Sequence, residues 1–295
     1  MKFRAHDTFF IRKGWLNKGL RKVSNNGNVF ISKDENPMDV FGIGNNMVKS
    51  LRYWLQATCL TQEPTKGKRT QTLTDFGCCV LENDPYIEEI GTLLLIHYML
   101  AKNKEEATAW YFFFNEFGMT EFDKDDFVRE ITSYIQMNFP EDSVATRSLE
   151  DDFSCIINTY VPRYKSNPNK VNAENNIDCP LGEIGLVDIL EKKNKRYKKA
   201  IPSKEILHPW IVMAVISGQM EAGTVEVPLN ELLTARNHIG KVFNLDTITM
   251  LDVLYTTEKL GFIHINRTAG LDVITLHGVP PFIECVKQYY QAINS

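Results

Sequence analysis

Hydrophobic and polar residues recur with helical spacing along residues 41–60, and this stretch carries the main functional prediction for the chain. Gly42 and Gly44 end a preceding short helix, and Asn45 or Asn46 can cap the next helix by accepting a backbone N–H bond. The apolar stripe of the predicted helix consists of Met47, Val48, Leu51, Trp54, Leu55 and Thr58. Its opposite face carries Asn45, Lys49, Arg52, Tyr53 and Gln56. Cations, amides and a phenol without a carboxylate suit a helix that lies in the major groove of DNA.

A basic hairpin follows this helix. Residues 60–63 and 70–73 read as two strands, residues 64–69 read as a turn, and Thr74 begins another helix. Helix, turn, helix and hairpin make a winged helix-turn-helix, in which the second helix reads DNA. We expect Lys49, Arg52 and Gln56 to contact the groove. We expect Asn46 and Tyr53 to contact the adjacent DNA backbone. The hairpin residues Lys66, Lys68 and Arg69 are expected to meet flanking phosphates or the minor groove. The alternative is a core helix followed by a solvated hairpin.

The pattern predicts further helices on both sides of this module. A first helix with Trp15 and Leu20 in its core precedes it, and two helices at residues 86–101 and 104–117 are apolar around much of their circumference. The aromatic cluster of Trp110, Tyr111, Phe112, Phe113 and Phe114 can be read as a base-stacking platform, but acidic neighbours and the helical setting favour a core hub.

Residues 122–162 repeat the helix-turn-helix pattern, with predicted helices at 126–139 and 143–160. The second helix turns Glu150, Asp151 and Asp152 outward, and three carboxylates repel a phosphate backbone. We therefore expect this module to pack on the first one or to meet a basic partner, with a solvated face as the simplest interpretation. Three consecutive carboxylates on a helix cannot all converge on one metal ion.

The last third of the chain divides into a basic linker and a further module. Residues 163–200 contain a polar loop at 163–170 and a cationic run that is either solvated or a second phosphate contact: Lys192, Lys193, Lys195, Arg196, Lys198 and Lys199. Residues 201–295 again follow winged-helix order, with a hairpin at 262–275 and a final helix at 281–293. Asp252 and Glu258 leave their candidate reading helix without net positive charge, which favours a structural or dimer-forming wing.

These patterns define the predicted fold class. It is mainly α with small β-hairpins (α+β), built from tandem winged helix-turn-helix modules around a central helical hub. The predicted segments are an N-terminal winged helix-turn-helix at 1–82, a helical hub with the second helix-turn-helix at 83–162, the linker at 163–200 and a C-terminal winged-helix-like domain at 201–295.

Charge changes the picture through its distribution. The net charge of −4 argues against a nucleic-acid binder, but residues 1–75 hold 13 Lys and Arg against 6 Asp and Glu. Residues 76–160 hold 5 against 17, residues 161–200 hold 9 against 5, and residues 201–295 hold 6 against 9. Such asymmetry can present the N-terminal face to a polyanion and turn the acidic middle away.

The sequence offers little for catalysis or metal binding. His6 and Asp7 could form an acid/base pair, but no nucleophile or third partner accompanies them, so a capping or core role is the simpler reading. There is no Walker loop, no G-x-S-x-G, no H-E-x-x-H and no Cys/His cluster with zinc spacing. We expect no cofactor, no metal and no enzymatic activity, although scattered residues can converge in a fold. Six cysteines without a C-x-x-C pair, together with no signal peptide and no membrane span, predict a cytoplasmic protein.

Several motifs resemble a bacterial family. They are Gly-Ile-Gly-Asn-Asn-Met-Val at 42–48 with Leu51-Arg52-Tyr53-Trp54, Asp84-Pro85-Tyr86, Ala107-Thr108-Ala109-Trp110-Tyr111 with Phe114-Asn115-Glu116-Phe117, Thr159-Tyr160-Val161-Pro162, and Pro180-Leu181-Gly182-Glu183-Ile184-Gly185-Leu186. The family is catalogued as a domain of unknown function, number four thousand and seven, and the resemblance covers nearly the whole chain. Its opening motif usually reads His-Glu-Thr-Phe, whereas this chain has His6-Asp7-Thr8-Phe9, a conservative departure.

The resemblance implies a genomic setting but no catalytic residue. Family members tend to be encoded beside cysteine desulfurase and sulfur-transfer enzymes of DNA phosphorothioation, or in related phage-defence cassettes. The family has no agreed catalytic residues, so none is carried over.

Two functions are therefore expected from the sequence. The first is a protein that binds double-stranded DNA, as a regulator of such a cassette or as the subunit that brings modification or defence proteins to DNA, with a homodimer as one arrangement. Neutralising about five phosphates would give a slope of roughly −4 to −5 for log affinity against log salt. The second is a protein-interaction adaptor of the same system that does not bind DNA itself.

Overall fold

The structure, a computed structural model, describes residues 1–162, 179–221, 223–268 and 271–295. It is an α+β fold, about 51% helical, with small antiparallel sheets. Its α-helices in chain order are α1 (Trp15–Asn25), α2 (Pro37–Phe41), α3 (Asn45–Ala57), α4 (Asp75–Asn83), α5 (Ile90–Lys102), α6 (Thr108–Tyr111), α7 (Lys124–Asn138), α8 (Thr146–Tyr160), α9 (Pro209–Ser217), α10 (Leu229–Thr234), α11 (Ile239–Val242), α12 (Thr247–Glu258) and α13 (Phe282–Ile293). The strands are β1 (Thr61–Gln62), β2 (Thr72–Leu73), β3 (Glu121–Phe122), β4 (Val187–Glu191), β5 (Arg196–Lys199), β6 (Glu226–Pro228), β7 (Ile263–Thr268) and β8 (Leu271–Leu276).

The N-terminal elements occur in the predicted order. Helix α3 buries the predicted stripe, with Leu51, Trp54 and Leu55 fully enclosed. Gly19 lets α1 approach it closely, since a Cβ at this position would lie 2.7 Å from a methyl carbon of Leu55. Strands β1 and β2 pair antiparallel, as the hairpin prediction requires. The assignment of these elements to a winged helix-turn-helix module stays a prediction, as does the division of the chain into four segments.

The central helix α5 is buried on all sides from residue 91 to residue 101, so the expected hub is present. The helix begins four residues later than the pattern predicts. The reason is Asp84, whose carboxylate accepts the backbone N–H groups of Glu88 and Glu89 at 3.0 Å and holds this segment as a turn. The predicted aromatic core is confirmed, because all five side chains of the cluster 110–114 are buried.

A three-stranded sheet stands where part of the basic linker was expected. Strand β5 lies in its centre, paired antiparallel with β3 on one side and β4 on the other. Residues 187–199 therefore form an antiparallel hairpin that pairs with β3. The predicted polar loop at 163–170 lies outside the described residues.

The C-terminal elements surround a second three-stranded sheet, ordered β6-β8-β7. Residues 204–217 form a 3₁₀ turn followed by α9, because His208 and Pro209 start a new helix. The imidazole Nδ1 of His208 accepts the backbone N–H of Trp210 and so caps α9. Helix α13 returns to the hub, where the hydroxyl of Tyr289 accepts the backbone N–H of Gly91 at 3.1 Å.

Two further features concern membrane-spanning helices and the cysteines. Among the described residues, no helix combines the length and the apolar character needed to cross a membrane. No disulfide joins the six cysteines, all of which lie in described positions. Cys179 is buried, whereas Cys78 is exposed.

A buried histidine links three helices of the hub. The Nε2 atom of His97 lies 2.8 Å from the carbonyl oxygen of Val242, and its Nδ1 atom lies 2.8 Å from the hydroxyl of Tyr160. A carbonyl can only accept, so Nε2 carries the proton and Nδ1 accepts from the tyrosine. Burial lowers the pKa of His97 to about 4, and the bond to Val242 opposes this shift only in part. The imidazole is therefore neutral at neutral pH.

We expect His97 to make the protein less stable in mild acid. In the unfolded chain an imidazole titrates near pH 6.5, whereas in the fold it titrates near pH 4. Protonation therefore favours the unfolded chain as the pH falls from 6.5 to 4, and costs at most about 3 kcal/mol of unfolding free energy. Urea titrations at pH 7, 6, 5 and 4.5 should show this loss, and the His97→Gln variant should lack it. The exposed His277→Gln variant is the matched control, and an identical pH profile for both variants would contradict the assignment.

Candidate nucleic-acid interface

Helix α3 is held in place by the first residues of the chain. Residues 2–9, here called the N-terminal strap, run across α3 and reach α8. The backbone oxygen of Phe9 accepts two bonds from α3, one from the indole Nε1 of Trp54 at 2.9 Å and one from the hydroxyl of Ser50 at 3.3 Å. These bonds fix the rotation of α3 and hence which side chains face the solvent.

A cationic surface remains exposed on α3 and the adjoining hairpin. It consists of Asn46 and Lys49 on the helix and of Lys66, Lys68 and Arg69 on the turn between β1 and β2, all of them exposed. Within the described residues, none of the four cations lies in ion-pair distance of a carboxylate. The first turn of α3 carries no acidic residue, and its N-cap is Gly44, not Asn45 or Asn46, so no side chain occupies the helix N-terminus. This surface can therefore accept phosphate oxygens without first breaking an internal ion pair.

Arg52 and Gln56 have a different environment from the one expected. The Nε atom of Arg52 lies 2.6 Å from a carboxylate oxygen of Glu63, and a second guanidinium nitrogen lies 3.2 Å from the carbonyl oxygen of Arg69. The amide nitrogen of Gln56 donates to the same Glu63 oxygen at 3.2 Å. Both side chains are partly exposed, and their hydrogen bonds connect the hairpin to the helix. No role for Glu63 was predicted from the sequence pattern, although the predicted hairpin places this residue beside the helix.

The expectation that Tyr53 faces outward is wrong. Its side chain is buried, and its hydroxyl donates to the backbone oxygen of Glu106 at 3.0 Å. Burial, and next the negative charge of Asp152, raise the pKa of Tyr53 well above its ordinary value. The helix is covered on two sides, so its apolar stripe is wider than the sequence pattern indicates. Tyr53 cannot reach a DNA backbone from this position.

A buried hydrogen bond joins the strap to the acidic helix α8. The Nε2 atom of His6 lies 2.6 Å from a carboxylate oxygen of Asp152, and both side chains are almost fully enclosed. The carboxylate also accepts the backbone N–H of Arg4, while His6 Nδ1 accepts that of Thr8 at 3.0 Å. Since Nδ1 is an acceptor, Nε2 carries the proton that is donated to Asp152. The imidazole stacks on Trp54 at 5.9 Å between ring centroids.

This pair bears on two interpretations of the sequence. His6 is buried in the core, as the simpler interpretation expected, and its partner is Asp152 of α8 and not the neighbouring Asp7, which is exposed. The carboxylates of α8 are not simply a solvated face, because Asp152 is 1% exposed. Burial raises the pKa of Asp152, and the hydrogen bond from His6 opposes that shift.

Part of the acidic middle is neutralised by the strap. Arg4 pairs with Asp151 at 2.7 Å, and the ammonium of Lys2 lies 2.5 Å from a carboxylate oxygen of Glu106. Of the two alternatives for this segment, the geometry supports packing against the first module. In the part of the chain that the structure describes, no group of three or more His, Cys, Asp or Glu could hold a metal ion.

The second cationic run does not act as one block. Lys192, Lys193 and Lys195 are exposed on the turn between β4 and β5. Lys199 instead points inward and donates to the carbonyl oxygen of Phe117 at 2.6 Å, and burial lowers its pKa to about 7. Only the turn is available for a ligand.

Comparison with known proteins places the chain in a wider group. The family model described as "Protein of unknown function (DUF4007)" matches residues 3–290. Two solved structures share the fold at 25% sequence identity and cover 100% of this chain and 89% of their own. They are described as "SspB crystal structure", with a TM-score of 0.84, and "Magnesium ion-bound SspB crystal structure", with a TM-score of 0.83. No curated protein matches the sequence.

We expect the His6–Asp152 pair to dominate the stability of the strap. Asp152→Ala leaves the imidazole N–H and the Arg4 backbone N–H buried without an acceptor, which should lower the unfolding free energy by roughly 3 kcal/mol or more. Asp152→Asn keeps an acceptor oxygen of the same size and should cost less than half as much. Urea unfolding followed by tryptophan fluorescence measures both values, because the pair lies against Trp54. Equal losses in the two variants would show that the hydrogen bonds to residue 152 contribute little.

Proposed function

We propose that this chain, which belongs to the DUF4007 family, binds double-stranded DNA through its cationic surface. In this proposal it serves a DNA-modification (phosphorothioation) or phage-defence cassette, as a regulator or as the subunit that recruits other proteins to DNA. The observation that carries the proposal is the group of exposed, unpaired cations on α3 and its hairpin.

The cations of this surface lie on two elements, the helix and the hairpin. Lys49 projects from the helix, while Lys66, Lys68 and Arg69 form a second row on the hairpin. Arg52 connects the two rows through Glu63 and the carbonyl of Arg69, so their spacing is set before DNA arrives. A preformed arrangement avoids the entropy cost of ordering the hairpin on binding.

The cellular setting rests on other grounds. The motif resemblance implies genes of DNA phosphorothioation or phage defence nearby, and the likeness to two SspB structures extends over the whole chain. One of those structures is described as magnesium ion-bound, so binding assays should be run both with Mg²⁺ and with a chelator.

A protein-interaction adaptor is the second candidate. Exposed carboxylates remain on the acidic segment after the strap has paired with its neighbours, including Asp125 and Glu130 on α7 and Glu141 and Asp142 beyond it. They could meet a basic protein of the same system. This candidate predicts co-purification with a cassette enzyme and no DNA affinity above background.

We expect reversal of two surface charges to weaken DNA binding. Four cations on phosphates give a slope of about −3 to −4 for log affinity against log salt. The double variant Lys49→Glu, Lys68→Glu should reduce affinity for a duplex on the order of tenfold or more and should flatten that slope by about two. Fluorescence anisotropy with a labelled duplex over 50–300 mM salt measures both quantities.

A matched variant separates local contact from total charge. Lys259 is exposed just after the C-terminus of α12 and Lys287 is exposed on α13, and the double variant Lys259→Glu, Lys287→Glu changes net charge by the same amount. It should bind as the native protein does, and so should Tyr53→Phe, whose hydroxyl is buried. Equal weakening by both double variants, or binding that does not respond to salt, would leave the adaptor as the better account.

A further inference from the structure

An open cleft of about 480 Å³ lies under the turn between β4 and β5, away from the cationic surface. Its walls are the N-terminus of α7, the C-terminal half of α8 and the start of β5. Its volume falls within the range typical of small-molecule sites. The duplex contact proposed above uses none of its residues.

Three apolar or aromatic side chains form the floor of the cleft. Phe153 and Ile157 of α8 are buried beneath it, at 4% and 9% exposure. The ring of Tyr197 on β5 is partly exposed and lies 6.0 Å from the Phe153 ring at 68°, so Phe153 supports it edge-on. A supported, partly exposed aromatic ring is a surface on which a planar ligand can stack.

The mouth of the cleft is cationic. Asn194 and Lys195 line it from the turn, and Lys192 and Lys193 are exposed beside them. Within the described ranges, none of these three lysines lies in ion-pair distance of a carboxylate. The backbone at Lys195 is left-handed, with φ of 51°, which closes the turn tightly and keeps the three ammonium groups on one short segment. Free cations at the edge of an apolar floor suit a ligand with a planar ring and an anionic group.

Two carboxylates also line the cleft, at the N-terminus of α7. Asp123 caps α7, accepting the backbone N–H groups of Asp125 and Asp126 at 2.9 and 3.0 Å. Asp125 is exposed on the first turn of α7, opposite the lysines of the turn. It provides an acceptor for an exocyclic amino group, a partner that carboxylates take from cytosine.

We propose that this cleft binds a nucleobase with its 5′-phosphate, the base stacked on Tyr197 and the phosphate at the Lys195 turn. The shared chemistry has two sources, a free nucleotide or an unpaired base in a DNA strand. A purely apolar ligand would not use the lysines, and a phosphate alone would not use the aromatic floor.

The test uses the full chain with two cytosine probes, dCMP and a 5′-fluorescein-labelled octadeoxycytidylate. Tyr197→Leu removes the stacking surface and should weaken octamer binding roughly five-fold or more, whereas Tyr197→Phe keeps the ring and the affinity. Lys195→Glu, at an exposed position that cannot disturb the core, should weaken binding and flatten the salt slope by about one or more. Lys259→Glu is the charge-matched control and should have no effect.

A photocrosslink locates the contact independently of affinity. An octamer carrying 5-iodocytosine should crosslink to residues of β5 or α8, as identified by mass spectrometry of the digested complex. Competition of dCMP with the octamer assigns the site to free nucleotides, and binding of the octamer without such competition assigns it to a strand. Lack of binding by both probes, crosslinks that map elsewhere, or unchanged affinity in both Tyr197→Leu and Lys195→Glu would overturn the proposal.

The outcome can be read separately from that of the duplex experiment. The variant Lys49→Glu, Lys68→Glu should lose duplex binding and keep octamer binding in the cleft. The variant Lys195→Glu should show the reverse pattern.

Discussion

The hydrogen bond between His6 and Asp152 is the contact on which the arrangement of the N-terminal half depends. It connects the strap to α8, and the strap in turn fixes α3 through the carbonyl oxygen of Phe9. Both partners are enclosed, and the carboxylate of Asp152 accepts hydrogen bonds from His6 and from the backbone N–H of Arg4. A buried carboxylate is costly unless its hydrogen bonds are made, which ties the position of the helix to the integrity of this pair.

The same arrangement explains how a chain of net negative charge keeps an exposed basic surface. The acidic segment is not free to fold back on Lys49 and the hairpin, because Asp151, Asp152 and Glu106 are already paired with the strap. Within the basic module, Glu63 binds Arg52 and Gln56 of α3 and leaves the hairpin tip exposed. Internal pairing therefore separates the two signs of charge, and the surface retains a local excess that the total does not reveal.

The sequence predicts those parts of the fold that depend on local patterns. Helices α1, α3, α7, α8 and α13 and the hairpins β1–β2 and β7–β8 follow from periodicity, turn residues and caps that lie within a few positions of one another. One exception is local, since the turn at Asp84 makes α5 begin later than the pattern predicts. The other exceptions involve distant partners. The burial of Tyr53 depends on Glu106, and the burial of Asp152 depends on His6, which lies 146 positions away. The candidate site divides in the same way: the exposure of Lys49 and the hairpin cations was predictable, whereas the pairing of Arg52 with Glu63 required the fold.

The left-handed backbone of the strap has a consequence for the order of events during synthesis. Arg4, Asp7 and Thr8 all adopt positive φ, a conformation that non-glycine residues hold only when contacts impose it. Of these, Arg4 is held by the carboxylate of Asp152 on α8, which lies near residue 150. During synthesis α8 is made after the strap and α3, so the bonds from Arg4 and His6 to Asp152 can form only once α8 has been made. A fragment that ends before α8 would keep the bonds between Phe9 and α3, but the strap would lack its buried acceptor.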